Sequence, residues 1–427
     1  MMSPRSHCFA TAALRPLALV CALIAASPAV RAQDASASQA PPLTLATIMA
    51  DPDWIGNGVE RAWWSWDGTR ALYARKREGA SVRDTWSVAV GGEAPRKLDD
   101  GERAEVDAAS PVYDAARRRM AYARNGDIFV RDLRSGAIIQ LTRTAAEESR
   151  PQWAADGGLV WRTGNEWFRW GGMTAGGYAQ AANAQAADDP AKPPPADDLR
   201  DRQLRLIDTL REDRARREAA RAQAEAWRRA DPTAAPPPAW LGKGVEIADS
   251  ALSPDGRWLL VVTTAKGAEA GQAGKMPKYV TESGYEEFEE VRTRVGRNAP
   301  LPHRLWLVEN ATGTVRELGF DGLPGIQTDP LAALRKAAKQ EPLKGARPVR
   351  IETDGDGSGP AIHWSADSRR AAVLVRAVDN KDRWIAELDT ATAVPALKTR
   401  HRLTDAAWIN WNFNEFGWMP DGRTLWY

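Results

Sequence analysis

Short apolar runs bounded by turn residues recur along this chain, and the turns that precede them repeat one phrase. The clearest copy is Ser253-Pro254-Asp255-Gly256, with others at Ser65-Trp66-Asp67-Gly68, Ala154-Ala155-Asp156-Gly157, Ser365-Ala366-Asp367-Ser368 and Met419-Pro420-Asp421-Gly422, and a worn copy around Asp114. Ser at the first position can hydrogen-bond forward, Pro presets φ at the second, and Gly accepts the left-handed conformation that folds two strands back on each other. Each phrase therefore predicts a hairpin. The runs Arg70-Ala71-Leu72-Tyr73, Arg257-Trp258-Leu259-Leu260-Val261-Val262 and Arg369-Arg370-Ala371-Ala372-Val373-Leu374-Val375 read as the strands that leave these turns. A third strand ends in an acidic turn, as in Asp127 to Gly136, Arg304 to Gly313 and Asp382 to Asp389, and a shorter fourth follows at Gln140-Leu141-Thr142, Arg316-Glu317-Leu318 and Arg402-Leu403-Thr404. Four antiparallel strands per repeat make one blade of a β-propeller.

Spacing counts the blades. Asp67 to Asp114 is 47 residues and Asp114 to Asp156 is 42, close to the roughly 40 to 50 of propeller repeats. The intervals from Asp156 to Asp255 and from Asp255 to Asp367 are 99 and 112 residues, so each holds either insertions or a further degenerate blade. The expected fold is all-β: an incomplete propeller with about six visible blade starts, the sixth just begun at Tyr427, and a charged helical insertion.

Composition changes this picture in two places. The chain has 19 Trp against 7 Phe and 7 Tyr, and Trp suits the wedge-shaped core between blades. A formal net charge of +2 with no basic domain argues against nucleic acid as the main ligand. At the N-terminus, Arg5 and Arg15 precede an apolar run from Leu17 to Ala26 and then Ala29-Val30-Arg31-Ala32. This reads as a secretory signal peptide over residues 1–32, cleaved after Ala32, with a linker over 33–44 and the propeller from 45 to 427. The run is too short for a stable membrane span, so no membrane anchor is expected after cleavage and the location is periplasmic or secreted. Cys8 and Cys21 both lie inside the signal segment, so the processed chain has no disulfide or thiol chemistry.

The propeller pattern stops over the insertion, residues 171–238. Pro193-Pro194-Pro195 and Pro236-Pro237-Pro238 bracket a helix over Leu199 to Arg229, with ten Arg against six acidic residues and Leu199, Leu204, Ile207 and Leu210 near one face. It reads either as a solvated insertion or as a contact for a partner or an anionic envelope surface. Asp354-Gly355-Asp356-Gly357-Ser358-Gly359 begins like a calcium loop, but its twelfth position is Ser365, and it reads as a surface turn. His303, His363 and His401 fall on different repeats without metal-ligand spacing, so neither a metal nor a cofactor is expected. No serine has glycine at both minus two and plus two, which leaves no nucleophile elbow.

Between the second and third strands of one blade, the segment from Met276 to Gly296 carries dense charge yet keeps Tyr279, Tyr285, Phe288, Val291 and Val295. This reads as an ordered excursion, or alternatively a solvated hairpin. Glu286 and Glu287 could receive a substrate ammonium, with Arg292 beside them as the third candidate substrate-binding residue.

The signal segment, the hairpins, and the phrases Gly284-Tyr285, Val291-Arg292-Thr293-Arg294-Val295-Gly296, Asp379-Asn380-Lys381-Asp382-Arg383-Trp384 and Phe416 to Tyr427 resemble the N-terminal propeller of bacterial prolyl oligopeptidase-type serine peptidases, in the dipeptidyl-peptidase IV branch. The resemblance covers nearly everything after residue 45. It implies a peptide substrate, a C-terminal α/β-hydrolase domain as the propeller's partner and a Ser-Asp-His triad in that domain. Oligomerisation is left open. The sequence to Tyr427 contains no such domain, so it is expected to be catalytically inactive by itself, and no catalytic residue is assigned. In dipeptidyl peptidases a glutamate pair in the propeller holds the substrate's amino terminus. The nearest counterparts are Asn414-Glu415, ahead of Trp418, and Tyr285-Glu286-Glu287, and neither reproduces the family spacing. From other classes, a non-enzymatic TolB-like periplasmic propeller that binds protein partners is the alternative, and a quinone-dependent propeller dehydrogenase is a weaker one.

Overall fold

The computed structural model describes residues 43–50, 52–92, 94–106, 109–173, 176–190, 192, 197–231, 233–267, 273–293, 301–353, 359–410 and 414–427. The signal segment, the core of the calcium-like turn (354–358), and Val295 and Gly296 lie outside them. The described residues from Leu43 to Gly58, with the 76–83 turn, form a small unit of their own. Within it Asp53 accepts hydrogen bonds from the Lys76 ammonium and from the Gly79 amide, the latter at 2.6 Å.

The rest of the chain is a series of antiparallel sheets. Blade 1 is β1 (Val59–Trp64), β2 (Arg70–Lys76), β3 (Arg83–Ala89) and β4 (Arg96–Lys97), and blade 2 is β5 (Val112–Tyr113), β6 (Arg119–Arg124), β7 (Asp127–Asp132) and β8 (Ile138–Gln140). Blade 3 is β9 (Glu148–Trp153), β10 (Leu159–Thr163), β11 (Glu166–Trp170) and β12 (Tyr178–Gln185), with the short β13 (Ala239–Trp240) added in parallel on its outer edge. In blade 4, β14 (Val245–Leu252) and β15 (Trp258–Ala265) are followed by a separate hairpin, β16 (Ala273–Lys278) and β17 (Glu287–Thr293), before β18 (Arg304–Glu309) and β19 (Thr314–Leu318) complete the sheet. Blade 5 opens on two pieces, β20 (Val349–Arg350) and β21 (Ile362–Trp364), both paired with β22 (Arg370–Ala377), and continues with β23 (Asp382–Asp389) and β24 (Leu397–Thr404). A sixth begins with β25 (Gly417–Trp418) and β26 (Leu425–Trp426). The two long intervals in the turn spacing are thus insertions, with no further blade among the described residues.

The repeated phrase forms one hydrogen-bonded device. In Ser65, Ser253 and Ser365 the hydroxyl donates to the aspartate two residues on at 2.6 Å each. The same hydroxyl accepts the amide of the residue five on, at 2.9 to 3.0 Å. Asp67, Asp255 and Asp367 in turn accept the amide two residues further, at 3.0 to 3.1 Å. The Ser65 hydroxyl is the main reason the Asp67 carboxyl is held down to about 2. Gly256 ends its turn at φ 80, where a Cβ is unfavourable. In blade 5 Ser368 takes that position at φ 61, and its hydroxyl accepts the Asp255 amide at 2.9 Å, so it joins two neighbouring turns.

Around Asp114 the device is shifted. Asp114 occupies the serine position, since its amide bonds the Arg119 carbonyl as the Ser65 amide bonds that of Arg70. One carboxylate oxygen accepts both the Arg118 and Arg119 amides, doing the work of the missing serine and aspartate together. The Asp-to-Asp spacing read from sequence is therefore two residues short for the first interval and two long for the second.

Successive sheets pack face to face, which is what makes the series a propeller. One apolar cluster joins blades 2 and 3 through Val130, Trp153 and Trp161, another blades 3 and 4 through Trp167, Leu259 and Val261, and the largest joins blades 4 and 5 through Leu260, Leu307, Val373 and Trp384. The residue before the turn phrase fastens one blade to the last. Trp153 donates its indole N–H to the Val112 carbonyl (3.0 Å), Trp364 to that of Ala251 (3.0 Å) and Trp418 to that of His363 (2.9 Å). A buried indole needs such an acceptor, and the preceding blade's first strand supplies it. These strands also converge: Gln152 reaches the Trp364 carbonyl at 3.2 Å, and the Ala155 amide reaches that of Ala366 at 3.2 Å.

The insertion differs from the single helix expected. It is two helices, α1 (Asp198–Leu206) and α2 (Asp208–Ala230), broken at Ile207, whose φ of −117° and ψ of 100° are extended. Asp197 caps α1 by accepting the Leu199 and Arg200 amides. The break falls at a β-branched residue followed by Asp208 and Thr209, residue types that compete with an ongoing helix and favour its first turn.

Candidate functional site

Blade 4 pairs β15 directly with β18, from Trp258 opposite Glu309 to Thr263 opposite Arg304. The chain between them is therefore an excursion from an intact sheet. Its β16 and β17 pair over six positions, from Ala273 opposite Thr293 to Lys278 opposite Glu287, so the ordered excursion expected from sequence is a hairpin.

Its tip is tied by side chains rather than by a core. The Thr281 hydroxyl donates to the Tyr285 carbonyl at 2.6 Å, and the Ser283 hydroxyl donates to Glu287 Oε1 at 2.7 Å. Gly284 turns the chain at φ 74. Lys278 pairs with Glu289 at 2.8 Å, and that hydrogen bond is the first cause holding the Lys278 ammonium above its ordinary pKa. Around this frame Tyr279, Val280, Tyr285 and Phe288 are exposed.

Glu286 and Glu287 stand side by side at the tip, both exposed, where the turn enters β17. Arg292 lies on the same strand, five residues further along, which is about 16 Å at strand rise. The two glutamates are neighbours in sequence at the tip, Glu287 already accepting from Ser283, and the strand sets the Arg292 backbone far from them. The other pair resolves differently: Asn414 is buried with its amide oxygen accepting from Arg383 at 2.5 Å, whereas Glu415 is exposed. Asn414 is committed to the fold. The geometry at 286–287 can accept an ammonium beside exposed aromatic rings, a chemistry suited to a peptide amino terminus.

The histidines serve the blades. His303 Nδ1 accepts the Ile351 amide at 3.0 Å, His363 meets Phe416 edge-on at 4.6 Å between centroids, and His401 lies 4.5 Å from the Tyr427 ring. Among the described residues no three His, Cys, Asp or Glu side chains gather as metal ligands, and no helix is long and apolar enough to cross a membrane.

Two charged clusters carry no signal in the sequence. Arg150, at φ 55 where β9 bulges, donates to Asp249 of β14 at 2.6 Å, and Arg162 donates to the same oxygen at 3.0 Å. Burial, set against this aspartate, brings the Arg162 pKa below its ordinary value. In blade 5, Arg347 holds Asp379 in a two-pronged pair at 2.9 and 2.6 Å and also bonds Asp382. Asp382 further accepts from Arg402 at 2.8 Å and Thr404 at 2.6 Å. Both clusters bind blade parts to one another.

No protein-family model and no curated protein matches the sequence. Among solved structures, the chain is similar to dipeptidyl peptidase 4 of Porphyromonas gingivalis, with 13% identity and a TM-score of 0.36 over 84% of this chain and 42% of that one. It is also similar to TolB of Acinetobacter baumannii, with 9% identity and a TM-score of 0.30 over 80% of this chain and 56% of that one. The β-propeller domain of the Trilobed protease of Pyrococcus furiosus gives 8% identity and a TM-score of 0.31 over 80% and 71%. The chain therefore spans about two fifths of the peptidase's length. The propeller itself rests on the sheets and their packing described above.

Proposed function

We propose that this chain is the propeller portion of an exported serine peptidase, acting in the periplasm or outside the cell to admit and orient peptides for a hydrolase domain. The observation that carries this reading is the β16–β17 hairpin, an arm outside the blade sheet with two exposed carboxylates at its tip and exposed aromatic rings on the same hairpin. Glu286 and Glu287 receive the peptide's ammonium, and Tyr279, Tyr285 and Phe288 offer surface for its first side chains. The hydrolysis belongs to the partner domain, since residues 1–427 hold no nucleophile elbow.

The test is a binding titration with fluorescent tripeptides, each with a free or an acetylated amino terminus. Glu286→Gln and Glu287→Gln together are expected to weaken the free-amine peptide by about 10- to 100-fold, the range of a charge-assisted hydrogen bond of about 1.5 to 3 kcal/mol. The acetylated peptide should change little. Equal losses for both peptides would reduce the hairpin to scaffold. Absence of peptide binding, with retention of cell-envelope proteins instead, would favour a TolB-like role.

A further inference from the structure

We propose that the elbow between α1 and α2 docks on an anionic bilayer surface, a function separate from peptide handling. The two helices enclose a groove of about 510 Å³ lined by Lys192, Arg200, Arg214, Arg217 and Arg221 against one acidic residue, Glu218. Leu204 and Leu210 supply part of its apolar lining. Arg214 pairs with Glu218 inside the groove at 2.8 Å and Arg200 with Asp201 at 3.5 Å, and the lining still counts five cations against one carboxylate.

At the elbow Leu206 and Ile207 are apolar and uncovered, beside an Asp208 that pairs with Arg211; Leu199, at the other end of α1, is uncovered too. Leu206 is 83% exposed, Leu199 67%, and Ile207 and Leu210 are more than two-fifths exposed. No residue of α1 is buried, so its leucines do not serve the propeller core. Exposed leucines and arginines carried by the same helix pair match the boundary of a bilayer, where apolar side chains enter the acyl region and guanidinium groups meet the phosphates. An acidic protein or free phosphate would account for the cations but not for the exposed leucines. Both ends of the insertion are clamped where β12 and β13 pair in parallel, Ala184 opposite Ala239 and Gln185 opposite Trp240. The blade edge thus holds both ends of the insertion.

The test is co-sedimentation of the full chain with vesicles of phosphatidylglycerol and phosphatidylcholine in equal parts, against vesicles of phosphatidylcholine alone. Binding to the anionic vesicles should be at least about tenfold tighter at low salt and mostly lost at high salt. Arg217→Gln with Arg221→Gln should weaken it by about tenfold. Leu206→Ser with Ile207→Ser should weaken it severalfold while leaving every charge in place. Melting temperature and helical circular dichroism report folding and should match the parent, because the substituted side chains lie outside the core clusters. Equal binding to both vesicle types overturns the proposal. So does binding that the serine variant leaves intact, which would mark mere adhesion of a basic surface, and so does equal retention on immobilised polyglutamate.

Discussion

Replacing Arg347 by Met should destabilise the propeller by about 3 to 5 kcal/mol, the cost of removing one member of a buried ion pair. The Arg347 side chain is 1% exposed, and its partners Asp379 and Asp382 are 12% and 2% exposed. Burial raises the Asp382 pKa, but hydrogen bonds from Arg402, Thr404 and Arg347 outweigh it and hold the carboxyl ionised. Without the guanidinium, Asp379 loses both of its bonds from this cation and Asp382 one of three. The planar group also lies 5.7 Å from the Trp384 ring centroid, whose indole N–H bonds the Pro324 carbonyl at 3.1 Å, so the loss reaches the largest apolar cluster. Urea denaturation measures the change. Adding Asp379→Leu to Arg347→Met should recover part of it, because an apolar pair leaves no carboxylate stranded. A loss below about 1 kcal/mol would mean that the network behaves as a surface pair.

Acidification from pH 7 to 4 should cost about 2 to 3 kcal/mol through His363 alone. Burial, helped by the positive charge of Arg150, lowers its pKa from 6.5 to about 4, although its hydrogen bond to the Pro360 carbonyl acts the other way. Between these values the unfolded chain binds a proton at this position and the folded chain does not, so stability falls as pH drops through the window and is level on either side. Asp67 and Asp421, both held down to about 2, add their losses only below about pH 4. Their stability is present above the unfolded carboxylate value and disappears as pH falls through the folded one. His363→Gln keeps a donor for the Pro360 carbonyl and removes the titration. Its stability between pH 6.5 and 4 should fall less steeply than the parent's by the stated amount, and parallel curves would show that His363 titrates normally.

The parts of the molecule legible in sequence are those where one residue's local chemistry decides the backbone. Ser253, Asp255 and Gly256 each have a fixed task within six residues, so the phrase announced its hairpin, and the apolar run after it announced β15. Asp114 was legible as a turn but not in its register, because one carboxylate there serves two amides and the serine position is not marked. The helical insertion was legible from its bracketing prolines and leucine spacing, while the break at Ile207 is marked only by a β-branched residue ahead of Asp208 and Thr209, a weak signal inside an otherwise helical run. Trp153, Trp364 and Trp418 stood in plain view before their turns, yet their role lies in a carbonyl of the previous blade. The pairing of Arg150 with Asp249 was not legible, since blade packing brings them near, nor was that of Arg347 with Asp379 and Asp382, which meet only once the strands of blade 5 pair. At the candidate site the sequence located an ordered excursion and the paired glutamates. It grouped Arg292 with them by proximity in the chain, whereas an extended strand carries its backbone about 16 Å away.

The central claim concerns where a peptide's amino terminus is held, and photo-crosslinking measures that directly. A tripeptide with a free amine and a benzoylphenylalanine at its second position, irradiated with the chain and mapped by mass spectrometry, should leave adducts within residues 276–293. Unlabelled free-amine peptide should abolish them and its acetylated form should not. Adducts concentrated outside the hairpin, or equal competition by both peptides, would contradict the assignment of Glu286 and Glu287.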